Sequence, residues 1–338
     1  MAPIPPTSGL FHRPFVDYYY ATQDWCKLFL AVDKDDRVVG TIGVDRMGFE
    51  SESGEMTLGF ASNYYSFMPG VGAFLFMQRL NSCPLGLVFG GGEDTHRVIR
   101  SLGWTYYPEI TSYHLNWSYP TSPGEPSWRK AAKGILRHSC RKKIGSYASR
   151  LLAASRAEVS LHPERSFSDD LLPRKSPFAF RFAPSLAYLN WRYNTELSFV
   201  RYRLFRITAR RTTVGYVVIS EKPDCLIVAQ CDGVDPETLA YGVISSIVEV
   251  GKQDRYPRTV MLTSSHSRMQ EIYREFGFRA GKSGRRFAVG GYKRDVTLDP
   301  DTSRWLINYD WGDNGLHSPF LDQVADPSVS GDKIRIMI

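Results

Sequence analysis

The chain has 338 residues, which is long enough for two domains of ordinary size, and its net charge of +7 suits an anionic ligand. With 43% hydrophobic and 23% charged residues and no apolar run near the ~20 residues of a membrane span, the composition is typical of a soluble globular protein. Five cysteines without C-x-x-C spacing argue against a disulfide framework or a zinc site. The first residues lack a signal-peptide pattern, so a cytoplasmic location is expected.

The first half of the chain begins with an antiparallel meander. Strand-like runs at residues 25–32 and 37–44 flank an aspartate-rich turn at 33–36, which predicts a hairpin. A third strand is predicted at 55–61, ahead of a loop that carries two glycines. The three strands would therefore lead the chain into that loop.

The glycine-bearing loop is predicted to open a helix that begins near Ala73 and runs to Leu80. Free backbone N–H groups at a helix start favour a phosphate or pyrophosphate, and glycine lets the anion approach closely. The loop therefore indicates an anion site, with an ordinary turn as the alternative. The residues expected to form this site are Phe67, Met68, Gly70, Val71, Gly72 and Ala73.

A second strand-and-helix unit completes the first half. An apolar run at 85–90 leads through two glycines to Glu93 and His96, and a short helix ends before Gly103. Residues 113–117 predict a final strand. The turn-rich stretch 120–126 then marks a domain boundary.

A basic helical stretch follows the boundary, with alanine, isoleucine and leucine between its cations. These are Arg129, Lys130, Lys133, Arg137, Arg141, Lys142, Lys143, Arg150 and Arg156. One interpretation is a solvated linker helix, and the other is a basic face for an anionic substrate, a membrane surface or nucleic acid. Nucleic acid is the least favoured of these partners because no nucleic-acid motif accompanies the stretch.

The second half repeats the order of elements found in the first. The predicted strands are 202–209, 213–220, 226–231 and 259–262, and the predicted helices are 236–252 and 269–276. The last helix is followed by Gly277 and Phe278, as the equivalent helix of the first half is followed by Gly103 and Trp104. The sequence therefore predicts two diverged copies of one domain.

This layout resembles the GNAT superfamily of acyl-CoA-dependent N-acyltransferases, in which a loop Arg/Gln-x-x-Gly-x-Gly/Ala cradles the CoA pyrophosphate. Gly70 and Gly72 match the two glycines, and Phe67 replaces the basic residue. The tandem arrangement resembles bacterial proteins associated with surface-polysaccharide synthesis. Residues 189–193 match their Leu-Asn-Trp-Arg-Tyr segment, and residues 305–314 approximate their C-terminal cluster.

The resemblance implies an α/β (α+β) fold of two tandem GNAT-like domains, each a mixed, mostly antiparallel sheet flanked by helices. The first domain would span residues 1–120 and bind the acyl-CoA, and the second, diverged domain would span 181–315. A basic helical linker at 121–180 and a C-terminal tail at 316–338 complete the expected organisation.

The resemblance also implies candidate catalytic residues. Tyr273, four residues before Gly277, corresponds to a tyrosine that protonates the departing CoA thiolate, and packing is its alternative role. The first copy has Ile99 at that position. Glu55, and Glu93 or His96, are placed to accept the amine proton, with solvent exposure as the alternative.

Further polar residues concern the acceptor and the second copy. Asp310, Asp313 and Asn314 are expected to bind hydroxyls or an ammonium group of the acceptor, or to cap a turn. The second copy's strand-to-helix turn, 231–238, carries three carboxylates that would repel a pyrophosphate. CoA is therefore expected in the first copy only.

The implied function is a metal-independent N-acyltransferase with acetyl-CoA as donor. Its acceptor would be an amino group on a sugar or cell-envelope precursor. This amine could be a small molecule or could be linked to a glycan or a lipid. One alternative is a Fem-type aminoacyl transferase, which would bind charged tRNA with the basic helix. The other alternative is a catalytically inactive tandem protein that binds a partner, which the loss of the basic residue at Phe67 favours. The oligomeric state stays open.

Overall fold

The computed structural model describes residues 10, 12–116, 126–135, 146, 159–222, 225–253, 259–282, 284–291 and 296–308. The first half contains α1 (Arg13–Val16), a π-helical turn (Asp17–Ala21), β1 (Cys26–Val32), β2 (Val38–Ser51), β3 (Gly54–Ser66), α2 (Val71–Ser82), β4 (Leu85–Phe89), α3 (Glu93–Ser101) and β5 (Thr105–Asn116). A helix at 127–135, here α4, follows.

The second half contains β6 (Val159–Glu164), β7 (Phe180–Phe182), α5 (Leu186–Arg192), β8 (Tyr202–Ala209), β9 (Thr212–Glu221), β10 (Cys225–Gly233), α6 (Pro236–Gln253), β11 (Thr259–Ser264), α7 (Ser267–Phe276), β12 (Arg279–Ala280), β13 (Arg285–Gly291) and β14 (Trp305–Leu306). Single 3-10 turns lie at Asp169–Leu171 and Thr302–Arg304. None of the helices in the described ranges combines the length and hydropathy needed to cross a membrane.

The strands of the described residues join in one mixed sheet. Its order is β14-β7-β2-β3-β4-β13-β5-β11-β10-β9-β8-β6, with β1 beside β2 and β12 beside β5. The pairs β3–β4, β10–β11 and β7–β14 are parallel, and the other pairs are antiparallel. The predicted α/β class, with a mixed and mostly antiparallel sheet flanked by helices, is confirmed.

The internal repeat is visible in the order and direction of the strands. In each half, three antiparallel strands (β1–β2–β3 and β8–β9–β10) lead into a helix, α2 or α6. A strand parallel to the third one follows, β4 or β11, and then a second helix, α3 or α7. The strands β2 and β3 extend to 14 and 13 residues, well beyond the predicted segments, because they continue through polar residues.

The two halves exchange strands. β13, which follows the second half's last helix, lies between β4 and β5 of the first half and pairs with both. β5 pairs with β13 along residues 105–110 and with β11 along residues 111–116. The predicted boundary at 120–126 lies outside the described residues except for Pro126. The strand pairing makes each half depend on the other.

An aromatic core lies between the two halves. It includes Phe49 and Phe89 from the first half and Phe180, Tyr216 and Trp305 from the second, all at most 4% exposed. A second core lies under α6 and α7, and a third under α2 and α3. Each large apolar side chain buried in this way contributes about 1.5–3 kcal/mol, so the shared aromatic core holds the halves together.

Candidate functional site

The start of α2 is open to a ligand. Gly70 precedes the helix with a φ of 83°, a left-handed conformation that favours glycine, and no side chain in the described part of the chain caps this end. Gly72 and Ala73 occupy the first turn, where N–H groups have no intrahelical acceptor. A Cβ on Gly72 would lie 3.0 Å from the Tyr64 hydroxyl, which donates to the Gly72 carbonyl at 2.7 Å. The second glycine therefore lets α2 approach β3 closely.

Next to this helix start, β3 and β4 separate, and the gap between their unpaired ends is called the cleft here. The two parallel strands pair only at Gly59–Gly86 and Phe60–Leu87. β3 then continues to Ser66 without β4 beside it. At the paired glycines, the buried Arg79 guanidinium packs 5.2 Å from the Trp104 ring and leaves no room for a Cβ. The separated edge of β3 leaves backbone groups that an extended ligand can bind.

Apolar side chains flank the cleft entrance. Phe67, at the position of the expected basic residue, is half-buried, Met68 is 45% exposed, and Phe74 in the first turn of α2 is 57% exposed. The site therefore offers backbone N–H groups and apolar surface to an anion, without a basic side chain at position 67.

A buried polar cluster lies at the level where β3 and β4 separate. Asp45 on β2 pairs in register with Phe60, the last β3 residue that pairs with β4. Its side chain is 3% exposed, and its Oδ1 atom accepts no hydrogen bond from the described residues. Burial raises the pKa of Asp45, while the charge of Arg192 on α5 opposes this rise. The second half thus contributes a cation to this cluster.

Asn63 connects the cluster to the end of β3. Its φ of 48° is left-handed, and it lies in a bulge of the β2–β3 pairing. Its Nδ2 atom donates to the Tyr20 hydroxyl at 2.7 Å, and its carbonyl accepts from the Thr41 hydroxyl at 2.8 Å. Sequence analysis missed this cluster, although an aspartate directly after an apolar strand segment, Val-Gly-Thr-Ile-Gly-Val, was a usable signal.

Glu55 lies far from the α2 start. It is exposed at the beginning of β3, opposite Glu50, whereas the loop follows the strand's other end. Eleven residues of β3 separate Glu55 from Ser66, which corresponds to about 35 Å along a strand. The structure therefore does not bring Glu55 to the cleft.

Glu93 and His96 lie in α3, after β4. Glu93 is exposed, and hydrogen bonds and ion pairs from Arg286 and then Arg100 hold its pKa below the usual value, which weakens it as a base. The buried His96 places Nε2 2.8 Å from the Gly90 carbonyl, so Nε2 carries a proton. Its Nδ1 atom then accepts from the Tyr106 hydroxyl at 2.8 Å, and burial lowers the pKa of His96.

Tyr273 lies in the core under α6 and α7. It is 2% exposed, its ring centroid is 5.8 Å from that of Phe278, and burial raises its pKa well above 10. No member of that core belongs to β3, β4 or α2. The structure thus places Tyr273 in a packing environment and away from the first-half cleft.

The C-terminal candidates Asp310, Asp313 and Asn314 lie outside the described residues. The segment before them packs tightly. Trp305 belongs to the shared aromatic core, and the buried Asn308 exchanges two hydrogen bonds of 3.1 Å with the Cys231 backbone. This segment therefore continues the second half's packing against β10.

The second copy's carboxylates differ from the prediction. Asp232 lies within β10 at 1% exposure and pairs with Arg181, which also binds Glu50 with an Nε–Oε2 distance of 3.0 Å. Burial raises the pKa of Asp232 to about 7. Asp235 caps α6 by accepting from the Thr238 N–H at 2.7 Å, and Glu237 pairs with Arg268. The turn carries two carboxylates rather than three, because the strand extends through Asp232.

The sequence matches no protein-family model and no curated protein. Solved structures with a similar fold include GCN5-related N-acetyltransferases from Anabaena variabilis ATCC 29413 (10% identity, TM-score 0.46, 82% of this chain and 64% of that one) and Kribbella flavida (14%, 0.45, 78% and 60%). A tandem GNAT protein from the clavulanic acid biosynthesis pathway is 12% identical, with a TM-score of 0.46, over 81% of this chain and 86% of that one. The chain spans less than two thirds of the first two structures. With TM-scores below 0.5 and identities of 14% or less, these likenesses assign neither a family nor an activity to this chain.

Proposed function

We propose that this protein is an acyl-CoA-dependent N-acyltransferase whose first copy binds the acyl-CoA. The observation that carries the proposal is the separation of β3 from β4, which leads to the uncapped start of α2 at Gly70. A helix start of this kind favours a pyrophosphate, and the free edge of β3 offers hydrogen bonds to an extended arm. The resemblance of the Gly70–Gly72 loop supports the same ligand.

The backbone donors and apolar side chains around the α2 start support acyl-CoA as the proposed ligand. The Gly72 and Ala73 N–H groups would bind pyrophosphate oxygens, and Met68 and Phe74 offer apolar contacts beside them. Bound acyl-CoA would supply the acyl group as a thioester. Phe67 removes one cation from this set, so backbone donors and the helix dipole would provide the attraction.

Acyl transfer joins the amine nitrogen to the acyl carbon and releases a thiolate, so it needs an acceptor for the amine's proton. We assign that role to Asp45, which lies at the level where β3 and β4 separate. Its raised pKa makes it a stronger base than an exposed aspartate, and its unbonded Oδ1 can receive a proton. The ion pairs of Glu93 and the remote position of Glu55 favour Asp45 over both.

The acceptor is proposed to be an amine on a sugar or cell-envelope precursor. Support comes from the Leu-Asn-Trp-Arg-Tyr segment at 189–193, which resembles that of surface-polysaccharide-associated proteins. This segment overlaps α5, whose Trp191 ring stacks on Tyr18 with a centroid distance of 6.2 Å and whose Arg192 acts on Asp45. One residue of the matching segment, Arg192, thus acts electrostatically on the proposed base.

Calorimetric titration with CoA tests the cofactor assignment. We expect binding by the wild type and a loss of binding in Ala73→Glu, because a carboxylate in the first turn repels the pyrophosphate while it stabilises the helix dipole. Asn81→Glu adds the same charge to the exposed far end of α2 and should leave binding unchanged. Absence of binding by the wild type would favour the inactive binding protein, and equal binding by Ala73→Glu would relocate the site.

A further inference from the structure

The described residues of helix α4, 127–135, are almost all exposed to solvent. Every residue of this helix is exposed apart from the half-buried Lys133. The exposed fractions of Trp128 and Ile135 are 68% and 70%, although large apolar side chains are ordinarily covered. Tertiary packing of an apolar face ordinarily supplies most of the stability of a helix in water. Some partner is therefore expected to cover its apolar side.

The residues of α4 separate into two faces. At 3.6 residues per turn, Trp128, Ile135 and the alanines at 131 and 132 lie within an arc of about 100°. Arg129, Lys130 and Lys133 lie on the opposite side. The Arg129 guanidinium lies 5.2 Å from the centre of the Trp128 ring, at the edge between the faces. This arrangement is typical of a helix that lies in a bilayer interface, with tryptophan at headgroup depth and cations beside it.

The charge of the chain is concentrated in this region. Residues 127–156 contain nine lysines and arginines and no aspartate or glutamate. Because these nine cations exceed the net charge of +7, the remainder of the chain is slightly acidic. A segment with nine cations, on a chain whose remainder has a slightly negative net charge, directs attraction to an anionic partner toward that segment.

We propose that α4 docks the protein on an anionic lipid bilayer, with Trp128 and Ile135 inserted among the headgroups and Arg129 and Lys130 paired with lipid phosphates. Nucleic acid also attracts cations, but an exposed apolar face beside the cations favours a bilayer. The proposal does not rest on the proposed acyl transfer. It adds a location, the membrane surface, at which a lipid-linked amine would be within reach.

Cosedimentation of the full-length protein with vesicles tests this. We expect binding to phosphatidylcholine vesicles that contain phosphatidylglycerol, little binding to phosphatidylcholine alone, and weakening by added salt. Arg129→Glu with Lys130→Glu should reduce the affinity roughly 30-fold or more, since each cation near such a surface contributes about fivefold. The matched control reverses the exposed Arg210 and Arg211 in the β8–β9 turn, which changes the net charge equally and should have a much smaller effect.

The apolar face has its own test. Trp128→Ala with Ile135→Ala keeps every cation and should reduce vesicle binding about 10-fold or more. Circular dichroism of each variant verifies the fold. Wild-type binding that ignores lipid charge, or equal losses in the control and α4 reversals, would overturn the proposal. The proposal would also be overturned if the Trp128→Ala, Ile135→Ala variant bound vesicles like the wild type. If that variant also kept RNA binding, the result would favour nucleic acid as the partner.

Discussion

Replacing Arg181 with methionine should strongly destabilise the protein. Arg181 is 7% exposed and connects Glu50 of the first half to Asp232 of the second. Without it, the Asp232 carboxylate, at 1% exposure, retains the Gly233 N–H at 2.8 Å as its one hydrogen-bond donor among the described residues. Above a pH of about 7, where Asp232 is ionised, removing one partner of this buried ion pair should cost about 3–5 kcal/mol, a large part of the ~5–15 kcal/mol by which proteins are stable.

A matched substitution isolates the effect of burial. Arg304 also contacts two carboxylates, those of Glu52 and Asp299, but half of its side chain is exposed. Arg304→Met should therefore cause a much smaller loss, since solvent already screens these charges. In Arg181→Met, changing Asp232 to asparagine as well should restore part of the stability, because the stranded charge is then removed.

The pH dependence has a defined sign. Burial raises the folded-state pKa of Asp232 from 3.8 to about 7, so the folded protein holds this proton more tightly than the unfolded chain does. The stabilising contribution of the protonated Asp232 is fully present at a pH below its unfolded-state pKa of 3.8. This contribution is lost as the pH rises through about 7. Urea unfolding, followed by tryptophan fluorescence at several pH values from about 4 to 8, gives the free energy of unfolding. This free energy should fall with rising pH in the wild type, and the part of the fall due to Asp232 should be absent in Asp232→Asn. If Arg181→Met lowered the free energy of unfolding no more than Arg304→Met does, the importance of the buried ion pair would be refuted.

Three further outcomes follow from the site. Ala73→Glu should abolish CoA binding in calorimetry while Asn81→Glu preserves it, and binding by both would contradict the anion site at α2. Asp45→Asn should lower kcat about 10²-fold or more with the CoA Kd unchanged, because it removes the proposed proton acceptor without altering the size of the side chain. A kcat near that of the wild type would exclude Asp45 as the base. Tyr273→Phe should lower kcat less than ~10-fold, or under ~1.4 kcal/mol of barrier, because the hydroxyl lies in the second-half core; a ~10²-fold fall with KM unchanged would make Tyr273 the general acid.

Local patterns in the sequence predicted the elements well. The strand at Tyr202–Ala209 coincides with its predicted bounds, and α6 and α7 each begin or end within two residues of theirs. Strands and helices are indicated by how apolar residues are spaced along a short stretch of sequence. These patterns can therefore be read without knowledge of the tertiary structure. The repeated order of these elements then predicted the fold class.

The contacts that shape the site depend on residues far apart in the chain. Glu50 and Arg181 are separated by 131 residues, and no local pattern indicates that they meet. The same holds for Arg192, which acts on Asp45 from α5, and for β13, whose apolar run indicates a strand but not its place between β4 and β5. Glu55 lies on a central strand as predicted, but the 13-residue length of β3 places it at the end of the strand remote from the α2 start.

The place of β13 has a consequence for synthesis on the ribosome. When residue 116 has left the exit tunnel, all the first half's own strands have been made, but the position between β4 and β5 is still empty. Both strands then present unpaired edges until residues 285–291 emerge, after nearly the whole second half. A prematurely terminated chain would therefore keep an open sheet beside the cleft, and its exposed edges would mark it for chaperones or proteases. The sheet beside the cleft is therefore complete only in a chain that extends through residue 291.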